Sequence, residues 1–226
     1  PGIHISIPPT VVLSTDIFDE FMRMNDLYKK ALAPASDEEI LQIFLRAELT
    51  QTIRDDLYGI AGIATNPIAI RSSSKLEDSL FQPFAGIYNT YMVPPHTDPK
   101  ITTLKLEQAI KSVYASVFFR LSKSYMTATS NLIDEEKMAI IIQSVCGAHY
   151  EGYFYPTLSG VARSLNYYPI GKEKIEDGIV NLAYGLGKQI MEGGVSLRFS
   201  PRYPNKIIQL SSPAQALKDT QKHFYA

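Results

Sequence analysis

The chain has a single cysteine, Cys146, in 226 residues, which excludes an intramolecular disulfide and any cysteine-rich zinc site. An excess of either charge is also missing. The 22 Lys and Arg against 23 Asp and Glu leave a net −1, and no basic tract gathers the positive residues, so electrostatic binding to nucleic acid gains no support. No apolar stretch approaches the roughly 20 residues that a membrane-spanning helix needs. The segment from Met138 to Val145 is too short for that and ends at Cys146-Gly147. Four histidines, His4, His96, His149 and His223, are scattered without metal-ligand spacing, and surface or turn roles are expected for them. Cys146 reads as a small apolar strand residue rather than a nucleophile. No internal repeat or low-complexity segment is apparent.

A composition of 45% hydrophobic and 20% charged residues is that of an ordinary soluble globular protein, long enough for one large domain or two small lobes. Pro8-Pro9 leads into a short apolar strand ending at Leu13. A helix follows from Thr15 or Asp16, with Ile17, Phe18, Phe21 and Met22 on one face. Ser36 and Glu39 form a capping-box pattern before Ile40, Ile43 and Phe44. Another amphipathic helix covers about 50 to 62. Asn66-Pro67 stops it and introduces a strand from Ile68 to Arg71. A turn from 72 to 83 and a strand from Ile87 to Val93 are predicted next. A helix from about 104 to 121 would then bury Leu106, Ala109, Ile110, Val113, Val117 and Leu121, with a shorter helix through Tyr125. From 138 onward the pattern is β: Met138 to Val145, Tyr153 to Tyr155, Gly160 to Arg163 and Ile179 to Ala183, separated by turn residues. The fold class is therefore α+β, with residues 1–135 mostly helical and 136–226 a β-rich lobe.

The most informative stretch is Ile70-Arg71-Ser72-Ser73-Ser74, followed by Glu77-Asp78, Phe84-Ala85-Gly86 and Thr90-Tyr91. A guanidinium grips phosphate with a rigid fork of donors. Serine hydroxyls and loop amides add neutral donors, and a carboxylate pair suits Mg²⁺ beside phosphates. Each residue also has a structural reading. Arg71 could pair with Glu77 or Asp78. Ser72 and Ser73 could satisfy their own turn, and Glu77 and Asp78 could cap a loop or short helix.

The spacing R-S-S-x-x-x-E-D-x-x-x-x-x-F-A-G-x-x-x-T-Y resembles the nucleotide-binding region of the phosphoenolpyruvate synthase and pyruvate phosphate dikinase family. The resemblance continues at Pro8 to Thr15, Ala109 to Phe118, Ile140 to Val145, Leu158 to Ala162, Tyr184 to Gly187 and Gly193-Gly194-Val195. It implies an ATP-grasp-like domain, present here as an incomplete portion, that binds Mg-ATP between lobes. The family's phosphotransferases (kinases) phosphorylate a histidine on a separate swivelling domain of the same chain, with pyruvate the commonest final acceptor. The resemblance also implies a cytoplasmic location. Arg71 would contact phosphate, Ser72, Ser73, Glu77 and Asp78 would line the phosphate end, and Gln143 with the backbone of Ser144 and Val145 would face the adenine. A buried strand glutamine bonded to its neighbours is the alternative for Gln143. No residue is assigned as a metal ligand, and neither a nucleic-acid nor a membrane partner is expected. The oligomeric state is not set by these features.

The family's Gly-Gly-Lys segment would lie before Pro1, and its Asp-x-Glu and Gln-x-Arg segments beyond Ala226, so weak ATP binding is expected of residues 1–226 alone. Ile87-Tyr88-Asn89 stands where the family commonly has Gln-Gln-Asp or Gln-Gln-Glu, and Lys188 where Gly-Leu-Gly-Glu is usual. These departures keep a second function open: a non-catalytic nucleotide-sensing or regulatory module that retains the fold. Gly185-Leu186-Gly187 lacks a full dinucleotide fingerprint and reads as a turn.

Overall fold

The computed structural model describes residues 2–33, 35–75, 77, 88–128, 136–191 and 193–226. Asp78, the Phe84-Ala85-Gly86 run and Ile87 lie outside them. The chain forms two compact units, Pro1–Val145 and Cys146–Ala226. Among the described residues no helix is long and apolar enough to cross a membrane.

The first unit is a helical layer on one face of a four-stranded antiparallel sheet. Its strands are β1 (Thr10–Leu13), β2 (Ile68–Ser74), β3 (Tyr91–Val93) and β4 (Met138–Ser144), in the order β1-β4-β2-β3. Its helices are α1 (Thr15–Met24), α2 (Leu27–Leu32), α3 (Asp37–Arg46), α4 (Gln51–Ile63), α5 (Pro99–Ser116) and α6 (Arg120–Ala128). Helix α1 buries Phe18, Phe21 and Met22, the face read from their helical spacing. The Ser36 cap of α3 is a full capping box: Glu39 N–H donates to Ser36 Oγ at 3.2 Å, and Ser36 N–H donates to Glu39 Oε2 at 2.8 Å. Helix α5 is enclosed on nearly every side from Ala109 to Ser116, because α3, α4 and the sheet all pack against it. Its buried Lys111 is neutralised by Glu107, 3.5 Å away on the preceding turn.

Several boundaries differ from the sequence expectations, and helix α5 begins at Pro99 rather than near 104. The predicted 72–83 turn begins with strand: Ser72, Ser73 and Ser74 pair with Ile140, Ala139 and Met138, so β4 extends the ladder through residues that favour turns. The strand predicted from Ile87 to Val93 covers only Tyr91–Val93 among the described residues. The helix predicted through Leu121 ends at Ser116. There the chain tightens, with Phe118 N–H donating to Ala115 O and Phe119 N–H to Ser116 O, before α6 starts. That break shifts the helical phase and leaves Leu121 61% exposed, while Val117 stays buried. Met138–Ser144, grouped by sequence with the β-rich half, is the central β4 of the first unit. Cys146 is exposed and follows that strand instead of packing within it.

The second unit holds a hairpin of β5 (Ala148–Tyr150) and β6 (Tyr153–Tyr155), and a sheet of β7 (Leu158–Arg163), β8 (Ile179–Tyr184) and β9 (Leu197–Phe199) in that order. Short helices α7 (Lys188–Met191) and α8 (Pro213–Asp219) complete it. The loop between β7 and β8 is built around Asn166, which is 1% exposed. Its amide donates to Glu173 and its carbonyl accepts from Arg198, each at 2.9 Å. Gly185 has φ +82°, and a Cβ there would meet the Tyr225 carbonyl at 2.6 Å, so the turn after β8 requires glycine on both counts.

Two outcomes are expected of this fold. Tyr114 is fully buried against Phe18 and Phe21, and its hydroxyl has no hydrogen-bond partner among the described residues. Removing an unsatisfied buried hydroxyl recovers a desolvation cost of about 1–3 kcal/mol. Tyr114→Phe should therefore leave urea-unfolding stability unchanged or raise it, and a clear loss would point to a partner. Glu39 has its pKa held below the ordinary carboxylate range, first by the Ser36 backbone N–H and then by its hydroxyl. A depressed folded-state pKa gives stability that is present above the unfolded value and lost as pH falls through the folded one. In acid titrations followed by circular dichroism, Glu39→Gln should flatten the acid limb and Glu38→Gln should not.

Candidate functional site

Directly opposed residues in an antiparallel pair share a face, so the register sorts the candidate residues. Ile68, Ile70, Ser72 and Ser74 of β2 oppose Ser144, Ile142, Ile140 and Met138 of β4 on the helix-covered face. Ala69, Arg71 and Ser73 oppose Gln143, Ile141 and Ala139 on the outer face. Thr10 and Val12 of β1 and Met92 of β3 join the outer face through their own pairings.

Arg71 is exposed, and among the described residues it has no ion-pair partner. Gln143 lies diagonally across the ladder from it, a separation of about 7–8 Å in such sheets. The Gln143 Nε2 group donates to Thr10 Oγ1 at 2.9 Å, which fixes the amide along the outer face. Ser73 is half-buried on that face, two residues beyond Arg71. A fixed cation, a hydroxyl and an oriented amide thus share a surface that also carries exposed Val12 and Met92. Such a surface can pair an anion at one end with a flat apolar group at the other.

The remaining candidates are placed differently. Ser72 Oγ donates to Glu77 Oε1 at 2.9 Å on the helix-covered face, so those two side chains engage each other behind the sheet that carries Arg71. The pairing of Arg71 with Glu77, kept open by the sequence, is not formed. The Ser144 N–H donates to Pro9 O at 3.0 Å and the Val145 N–H to Pro67 O at 2.8 Å. Of the backbone groups expected to face the base, both N–H groups are therefore engaged in the fold. Asp78 lies outside the described residues. Two shallow cavities of about 530 and 420 Å³ flank α5, one beside β3 and one beside α4. Neither is lined by Arg71, Ser73 or Gln143, and the site is assigned to the sheet face because charge and donors converge there. Among the described residues no three His, Cys, Asp or Glu side chains cluster as metal ligands do.

Sequence reasoning missed Tyr88 and Glu136, which are 5% and 6% exposed and joined by a hydrogen bond from Tyr88 Oη to Glu136 Oε1 at 3.4 Å. Their 48-residue separation gives no local signal. It missed the two-faced character of the serine run as well, although alternation outward from buried Ile70 carries it.

The outer face can be tested before any ligand is named. Gln143→Leu removes the bond to Thr10 without changing the ladder. It should leave the melting temperature within a few degrees, because a part-exposed hydrogen bond contributes only about 0.5–1.5 kcal/mol. A collapse of the fold would make Gln143 structural.

Comparison with known proteins agrees with the motifs. The family described as pyruvate phosphate dikinase, AMP/ATP-binding domain, matches residues 1–208. A Bacillus subtilis (strain 168) protein named "Uncharacterized phosphotransferase YvkC" is 26% identical over 196 residues, covering 85% of this chain and 21% of that protein. The chain thus spans about a fifth of the length of that relative. With the family's pattern running through both units, the chain belongs to the AMP/ATP-binding domain family of pyruvate phosphate dikinase.

Proposed function

We propose that this chain is the nucleotide-binding portion of a phosphoenolpyruvate synthase-like phosphotransferase, with an ATP-grasp-like arrangement and a cytoplasmic location. The full protein uses Mg-ATP to phosphorylate a histidine on a separate swivelling domain of the same chain, and pyruvate is the expected final acceptor. The observation that carries the reading is Arg71: an exposed strand guanidinium without a carboxylate partner among the described residues, on the face that also presents Ser73 and Gln143.

In this reading Arg71 grips the phosphates, because its planar fork matches two phosphate oxygens at once. Ser73 adds a neutral donor. The base lies toward Gln143, where the Gln143 side chain and the carbonyls of Ser144 and Val145 supply polar partners, since the two amides are already used. Ser72 and Glu77 serve the site from behind the sheet. The described residues form no carboxylate cage for Mg²⁺. Phosphoryl transfer depends chiefly on positioning and charge neutralisation, and Arg71 supplies both at the phosphate end.

A second reading, a nucleotide-sensing module without chemistry, is favoured by two side chains that stand at family site positions and are used structurally. Tyr88 is buried beside Glu136, and the Lys188 ammonium lies 4.9 Å from the centre of the Tyr225 ring. Single-turnover assays with radiolabelled ATP separate the readings. Label on a histidine supports the phosphotransferase, and binding without label supports the sensor.

Arg71 itself is tested in the full-length protein. A charge-assisted hydrogen bond contributes about 1.5–3 kcal/mol, so Arg71→Ala should weaken ATP binding roughly 10- to 100-fold. The melting temperature should barely move, since an exposed arginine adds little to the fold. Arg71→Lys should rescue little, because one ammonium does not reproduce a two-pronged contact. Unchanged ATP affinity with a large fall in melting temperature would remove Arg71 from the site.

A further inference from the structure

Thr10 of β1 and Gln143 of β4 stand directly opposite each other in the ladder, so both side chains lie on the outer face with Arg71 and Ser73. The side chain of Gln143 ends in a primary amide, whose oxygen and nitrogen are nearly equal in size. A half-turn of that amide exchanges an acceptor for a donor at almost no steric cost, so the hydrogens around it decide which orientation it holds.

Here the deciding neighbour is Thr10. Its hydroxyl has a single proton, which it donates to the Pro8 carbonyl at 2.8 Å. Toward Gln143 it offers only lone pairs, and Gln143 Nε2 donates to it at 2.9 Å. The rings of Pro8 and Pro9 fix φ on both sides of the Pro8 carbonyl, so this acceptor is itself held in place. Turning the amide would set its oxygen against the Thr10 oxygen, unless the hydroxyl gave up Pro8. One hydrogen bond is lost either way, which biases the amide roughly two- to tenfold at this part-exposed position. Among the described residues Gln143 Oε1 has no hydrogen-bond partner, so an acceptor and the second N–H remain for a ligand.

Purine bases differ in the same sense. A 6-aminopurine presents a donor at its amino group beside a ring-nitrogen acceptor, and a primary amide pairs with such an edge through its C=O and N–H together. A 6-oxopurine reverses donor and acceptor along the N1 edge. An amide free to turn matches both, whereas a fixed one matches only one when the phosphates, anchored at Arg71, keep the base from sliding.

We propose that Thr10 is a positioning residue: by passing its proton to Pro8 it locks the Gln143 amide in one orientation, and so makes the outer face select 6-aminopurine over 6-oxopurine nucleotides. This rests on the reading that places the base toward Gln143.

The test uses the full-length protein, titrated with ATP and with ITP, which carries oxygen in place of the 6-amino group. Thr10→Val removes the hydroxyl and keeps the shape and the strand preference of the residue. It should lower the ratio of the ITP to the ATP dissociation constant roughly two- to tenfold, the bias set by one hydrogen bond. Affinity for inorganic tripolyphosphate, which has no base, should stay the same, and the melting temperature should move by no more than a few degrees. Thr10→Ser keeps the hydroxyl and should retain the wild-type ratio. In a Gln143→Leu background, Thr10→Val should have no further effect on the ratio. An unchanged ratio in Thr10→Val would overturn the proposal. So would equal wild-type affinities for ATP and ITP, or a parallel loss of both nucleotides and tripolyphosphate, which is the result of a merely structural role. If Gln143→Leu leaves the ratio at its wild-type value, the base does not lie at Gln143, and that part of the proposed function fails together with the lock. If Gln143→Leu lowers the ratio and Thr10→Val does not, only the lock fails.

Discussion

The pairing of β2 with β4 is the constraint on which the first unit depends. It runs in unbroken register from Ile68 opposite Ser144 to Ser74 opposite Met138, and among the described residues β4 is the only strand that also reaches β1. Its alternation puts Met138, Ile140 and Ile142 into the core with Ile70, and leaves Ala139, Ile141 and Gln143 on the outer face. A slip of one residue would exchange the faces, driving Arg71 into the helical layer and exposing Ile70. Burial of an unpaired guanidinium is costly enough that the apolar pattern of β4 fixes where the site cation points.

What was legible in the sequence was local. The Ser36–Glu39 box and the Phe18, Phe21 and Met22 stripe depend on residues three or four apart, and the structure forms both. The α+β class followed from the change of periodicity near 138. The strand character of Ser72 to Ser74 was not legible, because serine favours turns and the strand that overrides it lies more than sixty residues downstream. The end of α5 carried no glycine or proline to announce it. The phase change that exposes Leu121 comes from the Ala115–Phe119 turn, with Ser122 donating to Ser116 O at 2.7 Å beyond it. Strands β5 and β9, three residues each, are too short for an alternation to register.

The candidate site was legible as a motif and illegible as a surface. A linear spacing puts Arg71, Ser72, Ser73 and Glu77 in one cluster. A pleated strand distributes the same residues to two sides, and only the buried neighbours Ile70 and Ser74 tell which side is which. The adjacent serines therefore have different roles. Ser73 shares a face with Arg71, while Ser72 is bonded to Glu77. The family pattern identified the stretch, and the register assigned its parts.

Two tyrosines show what decides the role of a buried polar group. Tyr114 and Tyr88 are both almost wholly buried, and burial is the first cause of the raised pKa of each phenol. Around Tyr114 stand Phe18 and Phe21, and its hydroxyl has no partner among the described residues, so it contributes ring area at the expense of a desolvated oxygen. Tyr88 instead donates its hydroxyl to Glu136, 48 residues further along the chain, at 3.4 Å. The desolvation cost is of the same kind in both cases. Only at Tyr88 is it offset by a hydrogen bond, made to a residue just before β4.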